Sequence, residues 1–285
     1  MTEVMECISE VRTLVTKAKK KGKVIGFVPT MGALHEGHLT LMQEAKKQCD
    51  VVIASIFINP TQFGVNEDLA AYPRTWDNDL KTCSSVGVDA VFHPQIKEMY
   101  PDDWGTWVEV EKATEVLCGK SRPMHFRGVA TVVTKLLNIV QPDKAFFGQK
   151  DAQQVVVLKK MVRDLNMPFE IVMLPIVRDA DGLAKSSRNT YLRPEQRQAA
   201  LVLYQSLCKA KKMVSEGNRD STQIKSAVMD SIQAEPLATV DYVEIYSFPE
   251  LAEIDTLEQE ALLAVAVRFG STRLIDNVLL NPFGI

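Results

Sequence analysis

Val24-Ile25-Gly26-Phe27-Val28 is a short apolar run that leads directly into Pro29-Thr30-Met31-Gly32-Ala33-Leu34-His35-Glu36-Gly37-His38, after which Leu39, Met42 and Ala45 recur at helical spacing. Val51 to Ile58 follows as an unbroken apolar run rich in β-branched residues, the pattern of a strand covered on both faces. Strand, helix and strand packed this closely predict a right-handed βαβ unit and hence a parallel sheet.

The alternation extends in both directions. Upstream, Val4, Ile8, Val11, Val15 and Ala18 keep helical spacing and predict an opening amphipathic helix that ends near Gly22. Downstream, Asp77 to Val86 reads as helix, Asp89 to Phe92 as strand, Val129 to Val140 as helix, Lys144 to Phe147 as strand, Ala152 to Leu165 as helix and Phe169 to Leu174 as strand. Repeated β–α alternation predicts an α/β fold with a Rossmann-like, doubly wound parallel sheet. The pattern changes after Pro175. Residues 194–234 are polar and helical, with Leu201, Tyr204, Leu207 and Ala210 on one face, and Val240 to Ile245 and Ala261 to Phe269 are strand-like. Helices followed by strands predict a second, smaller α+β domain. The expected division is residues 1–176, binding nucleotide and substrate, and residues 177–285, closing over the nucleotide.

Bulk composition narrows the function classes. The 285 residues are 46% hydrophobic and 24% charged with a net charge of −3, which argues against nucleic acid or an anionic membrane as partner. No apolar run approaches the roughly 20 residues that cross a bilayer, and the first residues carry no secretory pattern. The five cysteines are scattered without a Cys-x-x-Cys pair, as expected of reduced thiols in a cytoplasmic protein.

The chemistry concentrates in the turn from Pro29 to His38. Ligands of open α/β sheets bind beyond the carboxyl ends of the strands. Gly32 and Gly37 let backbone approach a ligand closely, and a helix N-terminus favours an anion. Two imidazoles three residues apart can donate to negative charge that grows on a phosphoryl group. The other readings of the pair are a zinc site and a pair of structural capping histidines; metalloprotease spacing would place the histidines four apart on a helix. Cys118-Gly119-Lys120-Ser121 is similar to the end of a Walker A loop but lacks its leading glycine and preceding strand. Trp76, Trp104 and Trp107 show no base-stacking pattern and read as packing residues.

Thr-x-Gly-x-x-His-x-Gly-His resembles the HxGH nucleotidylyltransferase superfamily. Further blocks resemble the pantoate–β-alanine ligase family within it: Phe57-Ile58-Asn59-Pro60-Thr61-Gln62-Phe63, Tyr72-Pro73-Arg74-Thr75, Arg122-Pro123-Met124-His125-Phe126-Arg127-Gly128-Val129, Phe147-Gly148-Gln149-Lys150-Asp151 and Asp181-Gly182-Leu183-Ala184-Lys185-Ser186-Ser187-Arg188-Asn189. The blocks span nearly the whole chain in the family's order.

The resemblance implies an AMP-forming, C–N-bond-forming ligase of pantothenate and coenzyme A biosynthesis. It would join (R)-pantoate to β-alanine through an enzyme-bound pantoyl-adenylate, with ATP as substrate and Mg²⁺ on its phosphates. Met31, Gly32, Ala33, Leu34, His35, Glu36, Gly37 and His38 would then contact ATP, with Gly148, Gln149, Lys150, Asp151, Val177, Lys185, Ser186, Ser187 and Arg188. The catalytic set would be His38, His35, Lys150, Ser186, Ser187 and Arg188. Gln62 and Gln154, with Asn59, Pro29 and Thr30, would hold pantoate and β-alanine, because carboxamides both donate and accept. Metal ligands are left open. The family also implies a homodimer, to which the run from Val51 to Ile58 is expected to contribute. Two rivals remain: a transferase that leaves AMP on its product, and a non-catalytic nucleotide-binding module.

Overall fold

The computed structural model describes residues 2–65 and 67–284. Contacts divide them into two compact units. One runs through Gln149 and resumes at Gln153–Pro175; the other holds Lys150–Ala152 and the chain from Ile176 onward. Lys150–Ala152, expected in the first unit, thus cluster with the second.

The first unit is built on a parallel sheet of β1 (Glu3–Met5), β2 (Ile25–Thr30), β3 (Val51–Ile56), β4 (Ala90–Phe92), β5 (Lys144–Gly148) and β6 (Glu170–Leu174). Their order is β1-β4-β3-β2-β5-β6. The winding reverses between β2 and β5, so these neighbours flank the topological switch point at which α/β sheets bind ligands. The connecting helices are α1 (Ile8–Lys20), α2 (Glu36–Gln48), α3 (Trp76–Val86), the short α4 (Ile96–Met99) and α5 (Cys118–Ser121), α6 (His125–Val140) and α7 (Ala152–Asp164). Met42 and Ala45 of α2 and Cys83 of α3 pack with Val28, Val52, Ala54, Val91 and Phe146 of the sheet, while α1 packs against α6. Phe27, Phe92 and Phe146 are fully buried, and each contributes about 1.5–3 kcal/mol by leaving water.

Two expectations are corrected here. Val4 is not in the first helix: it lies in β1, which pairs with β4. The helix starts at Ile8 because the Glu10 carboxylate accepts the N–H groups of Glu6 and Cys7 at 3.0 and 2.9 Å, ending the extended segment. The run from Val51 to Ile58 stops being strand at Ile56, and Val51 to Phe57 are all buried within the chain.

In the second unit α8 (Pro194–Ala199), α9 (Leu201–Ser215) and α10 (Ser221–Gln233) precede an antiparallel sheet of β7 (Ala238–Ser247), β8 (Ala261–Phe269) and β9 (Thr272–Leu280) in that order. Leu203, Leu207 and Ala210 of α9 and Ile224, Val228 and Ile232 of α10 share a core with Leu263, Val265 and Val267 of β8. Tyr204, expected on this buried face, is half-buried instead, with the Arg178 guanidinium over its ring at 4.6 Å. The architecture is α/β with a Rossmann-like parallel sheet and a smaller α+β unit, as the alternation predicts.

Candidate active site

The turn from Pro29 to His38 leaves the carboxyl end of β2 and is closed by its own side chains. Thr30 donates its hydroxyl to the Ser55 carbonyl at 2.7 Å and accepts the Gly32 N–H at 3.2 Å. Gly32 and Ala33 both take positive φ, +83° and +50°, which turns two successive N–H groups to one side. Asp79 of α3, 1% exposed, receives the N–H groups of Ala33 and Leu34 at 2.9 and 2.8 Å. The turn amides expected to meet a ligand are thus largely taken up inside the protein.

Backbone N–H groups of the same turn orient the histidine rings. His35 Nδ1 accepts the Gly37 N–H at 3.1 Å, and His38 Nδ1 accepts the His35 N–H at 3.2 Å. An imidazole nitrogen that accepts carries no proton, so each neutral ring is assigned its proton on Nε2. The ring centroids lie 4.2 Å apart with planes tilted by 43°. A Cβ at Gly37 would sit 2.9 Å from His35 Cε1, so the glycine between the histidines is what lets the first ring fold back over the helix start.

Gln62 lies beside this turn, its Nε2 donating to Met31 Sδ at 3.2 Å. Asn59 holds it. The Asn59 amide donates to Gln62 Oε1 at 3.0 Å and to the Gly128 carbonyl at 3.2 Å, and its oxygen accepts from Thr61 and Tyr100 at 3.0 and 2.8 Å. Both donors and both acceptor positions of this buried side chain are therefore used within the protein. The Gln62 carbonyl meets His125 Nδ1 at 3.0 Å and accepts from Arg122 at 3.4 Å. Gly128 lets α6 approach, since a Cβ there would fall 2.4 Å from the Thr61 carbonyl oxygen. Burial pushes the Glu67 carboxyl up, but the Arg122 guanidinium, bonded to it at 2.5 Å through both oxygens, outweighs this and holds it below the usual glutamate range.

β5 ends at Gly148, and Gln149 to Asp151 form a single 3-10 turn before α7. Gln153, buried, is structural: it receives the Cys118 N–H and donates to the carbonyls of Ala113 and Val116. Gln154 is half-buried and takes no part in these bonds. The Walker-like Cys118–Ser121 is the short helix α5, whose Gly119 is forced by the Thr114 carbonyl, 1.7 Å from where a Cβ would stand.

In the second unit Val177 to Lys185 form a small hairpin. Asp179 N–H donates to Leu183 and Lys185 N–H to Val177, at 2.8 and 2.9 Å. The Lys185 ammonium is paired with Asp179, and Arg197 bridges Asp179 and Asp181 at 3.0 Å each. Hydrogen bonding from Arg197 keeps the Asp181 carboxyl below its usual range. Ser186 caps the turn that follows, accepting the Arg188 N–H at 3.3 Å. Lys150, also in this unit, lies 3.9 Å from the Asp151 carboxylate.

Spacing alone did not single out Asp79, Tyr100, Arg122, His125, Asp276 or Asn277. Arg122 and His125 lie in a quoted block, and the other four act through contacts distant in sequence. Among the described residues, no group of three or more His, Cys, Asp or Glu side chains is placed to hold a metal ion. Trp76 stacks on His93 with centroids 4.1 Å apart, and Trp104 and Trp107 meet edge to face.

Comparisons with known proteins agree over nearly the whole chain. The model of the family described as pantoate-beta-alanine ligase matches residues 3–279. A pantothenate synthetase of Pelotomaculum thermopropionicum is 60% identical over 98% of this chain and 99% of its own length. One from Acetivibrio thermocellus is 54% identical over the same shares. The crystal structure of pantothenate synthetase from Thermus thermophilus superposes with a TM-score of 0.93 at 41% identity, covering 97% of this chain and 99% of that one. A pantoate-beta-alanine ligase from Francisella tularensis, complexed with beta-gamma ATP and beta-alanine, gives a TM-score of 0.80 at 33% identity over 98% of each chain.

Proposed function

Because the chain belongs to the pantoate–β-alanine ligase family and condenses pantoate with β-alanine at the expense of ATP, we propose how its own residues divide that work. A carboxylate does not acylate an amine at neutral pH, since its leaving group is poor. A pantoate carboxylate oxygen attacks the α-phosphorus of ATP in line and expels pyrophosphate. The resulting pantoyl-adenylate is a mixed anhydride with a good leaving group. The β-alanine amine then attacks its carbonyl carbon, loses a proton and releases AMP.

The observation that carries this reading is the pair of Nδ1-anchored imidazoles at the carboxyl end of β2. His35 and His38 are neutral Nε2–H donors to the oxygens of the α-phosphate, where charge develops in both steps. Met31 to Leu34, Glu36 and Gly37 shape the nucleotide pocket around them. Gly148 and Gln149 border it, Lys150 supplies a point charge and Asp151 meets the ribose. Val177 packs by the adenine, and Lys185, Ser186, Ser187 and Arg188 bind the β- and γ-phosphates and stabilise pyrophosphate as it leaves. Gln62 and Gln154 hold pantoate, with Pro29 and Thr30 forming the pocket wall. Asn59 acts one step removed: it fixes the Gln62 amide by its oxygen, leaving the Nε2–H not given to Met31 for the substrate.

Mg²⁺ enters as the Mg²⁺–ATP substrate complex, held by phosphates and water; the lack of a three-ligand acidic or imidazole group among the described residues fits this better than a protein-built cage. A cytoplasmic enzyme is consistent with the finding that no described helix is long and apolar enough to cross a membrane. The active form is a homodimer, testable by sedimentation.

The deciding assay follows AMP and pantothenate with ATP and Mg²⁺, adding the two acids separately and together. Equal amounts of both products, formed only when both acids are present, are expected. AMP retained in the product would sink the ligase mechanism.

A further inference from the structure

We propose that Asp276 and Asn277, successive residues of β9, are positioning residues for the ATP half of the reaction; this rests on the reading that Lys150 and Lys185–Arg188 contact the nucleotide. The two side chains hold the two nucleotide-contacting segments of the second unit from one short stretch of strand.

Asp276 is 2% exposed and grips Arg178 with both oxygens, at 2.6 and 2.9 Å. Arg178 in turn donates to the Gly182 carbonyl at 3.1 Å, lies over Tyr204 and bridges to Ala184 in the hairpin. The hairpin turn is pressed onto that ring, since a Cβ at Gly182 would lie 2.0 Å from Tyr204 Cδ1. Its returning arm runs from Ala184 straight into Lys185-Ser186-Ser187-Arg188. Asp276 therefore sets where the phosphate-binding segment begins. Asn277, 4% exposed, donates its amide to the Lys150 carbonyl at 3.0 Å, which sets where that lysine's backbone lies. The two are linked, because Asp276 Oδ1 also accepts the Asn277 N–H at 2.7 Å.

Stability alone does not explain a carboxylate buried in a sheet and paired with a half-buried guanidinium outside it, since apolar residues of similar volume often serve as well or better. Positioning does explain it. A bidentate carboxylate–guanidinium pair fixes direction as well as distance, and displacing catalytic groups by about 1 Å costs on the order of 10²-fold in rate.

The test is ATP–pyrophosphate exchange with pantoate, together with steady-state KM values for ATP and β-alanine, on D276N and N277A. Both should lower kcat/KM for ATP by about 10–100-fold and leave KM for β-alanine within about twofold. N277A keeps the ion pair and decides the question should D276N not fold. D241N is the control. Asp241 of β7 pairs at 2.8 Å with Arg273, which shares β9 with Asp276 and Asn277, but it touches neither segment, so D241N should alter thermal stability and leave ATP kinetics unchanged. An N277A enzyme with wild-type ATP kinetics, or a D241N enzyme as impaired toward ATP as N277A, would overturn the proposal. K150A and S187A run alongside: if they too leave ATP kinetics unchanged, the assignment of the nucleotide site itself has failed.

Discussion

At the scale of single residues, the proposed mechanism depends on where protons sit on two rings. Gly37 and His35 each commit a backbone N–H to a histidine Nδ1, so that Nε2 is the donor on both rings. Gly37→Ala would drive a methyl group into His35 at 2.9 Å and turn that ring away without removing it. Both G37A and H38A are expected to lower kcat by about 10²–10³, the usual loss for one preorganised donor, with a smaller change in KM for ATP. Steady-state kinetics check this; near-normal turnover in either variant would remove the rings from the mechanism. Neither substitution touches the core, so both proteins should unfold at close to the wild-type temperature.

At the scale of elements, helices serve as brackets for loops. α3 brings Asp79 under the Gly32–Leu34 turn, where it receives two backbone N–H groups and the Thr75 hydroxyl. Asp79→Asn presents an amide where acceptors are needed. The loss of charge-assisted hydrogen bonds should cost about 1.5–3 kcal/mol, measurable by urea denaturation, together with a fall in kcat as the turn relaxes. An unchanged denaturation midpoint would show that the turn holds itself. α6 and its preceding loop act likewise on Gln62, with Arg122 tied to Glu67. Glu67 has its folded pKa depressed, so its contribution is present above the unfolded value of about 4.3 and is lost as pH falls through the lower folded value. E67Q should therefore be destabilised relative to wild type at pH 7, with the gap closing below about pH 4. Midpoints that differ equally at both pH values would contradict the pairing.

At the scale of the whole molecule, burial sorts the thiols. Cys49, Cys83 and Cys118 are buried, while Cys7 and Cys208 are exposed. Burial, aided by the charge of Asp79, pushes the Cys83 thiol up to about 12, and reactivity follows the thiolate. A disulfide reagent at pH 8 should titrate Cys7 and Cys208 in the native enzyme and all five thiols only after denaturation. Rapid native labelling of Cys83 would mean that α3 does not pack on the sheet as described.

Periodicity by itself determined the β–α alternation, the switch to helices then strands after Pro175, and the glycine-and-histidine turn after β2, because these are encoded by residues close in sequence. Resemblance of the blocks determined the family and the candidate ATP residues. Only the tertiary structure decided that Val4 is strand, since its partner β4 lies far along the chain, and that Leu203 rather than Tyr204 faces the core. Apolar alternation does not reveal β9 because Arg273, Asp276 and Asn277 interrupt it, and only the Gly270-Ser271 turn before it signals a hairpin. The same interruption carries the buried Asp276 carboxylate that pairs with Arg178. The roles of Asp79, Asn59 and Asp276 come from hydrogen bonds that span the fold. No local spacing encodes such bonds, because the energy of a buried polar group depends on which distant donor the folded chain brings to it.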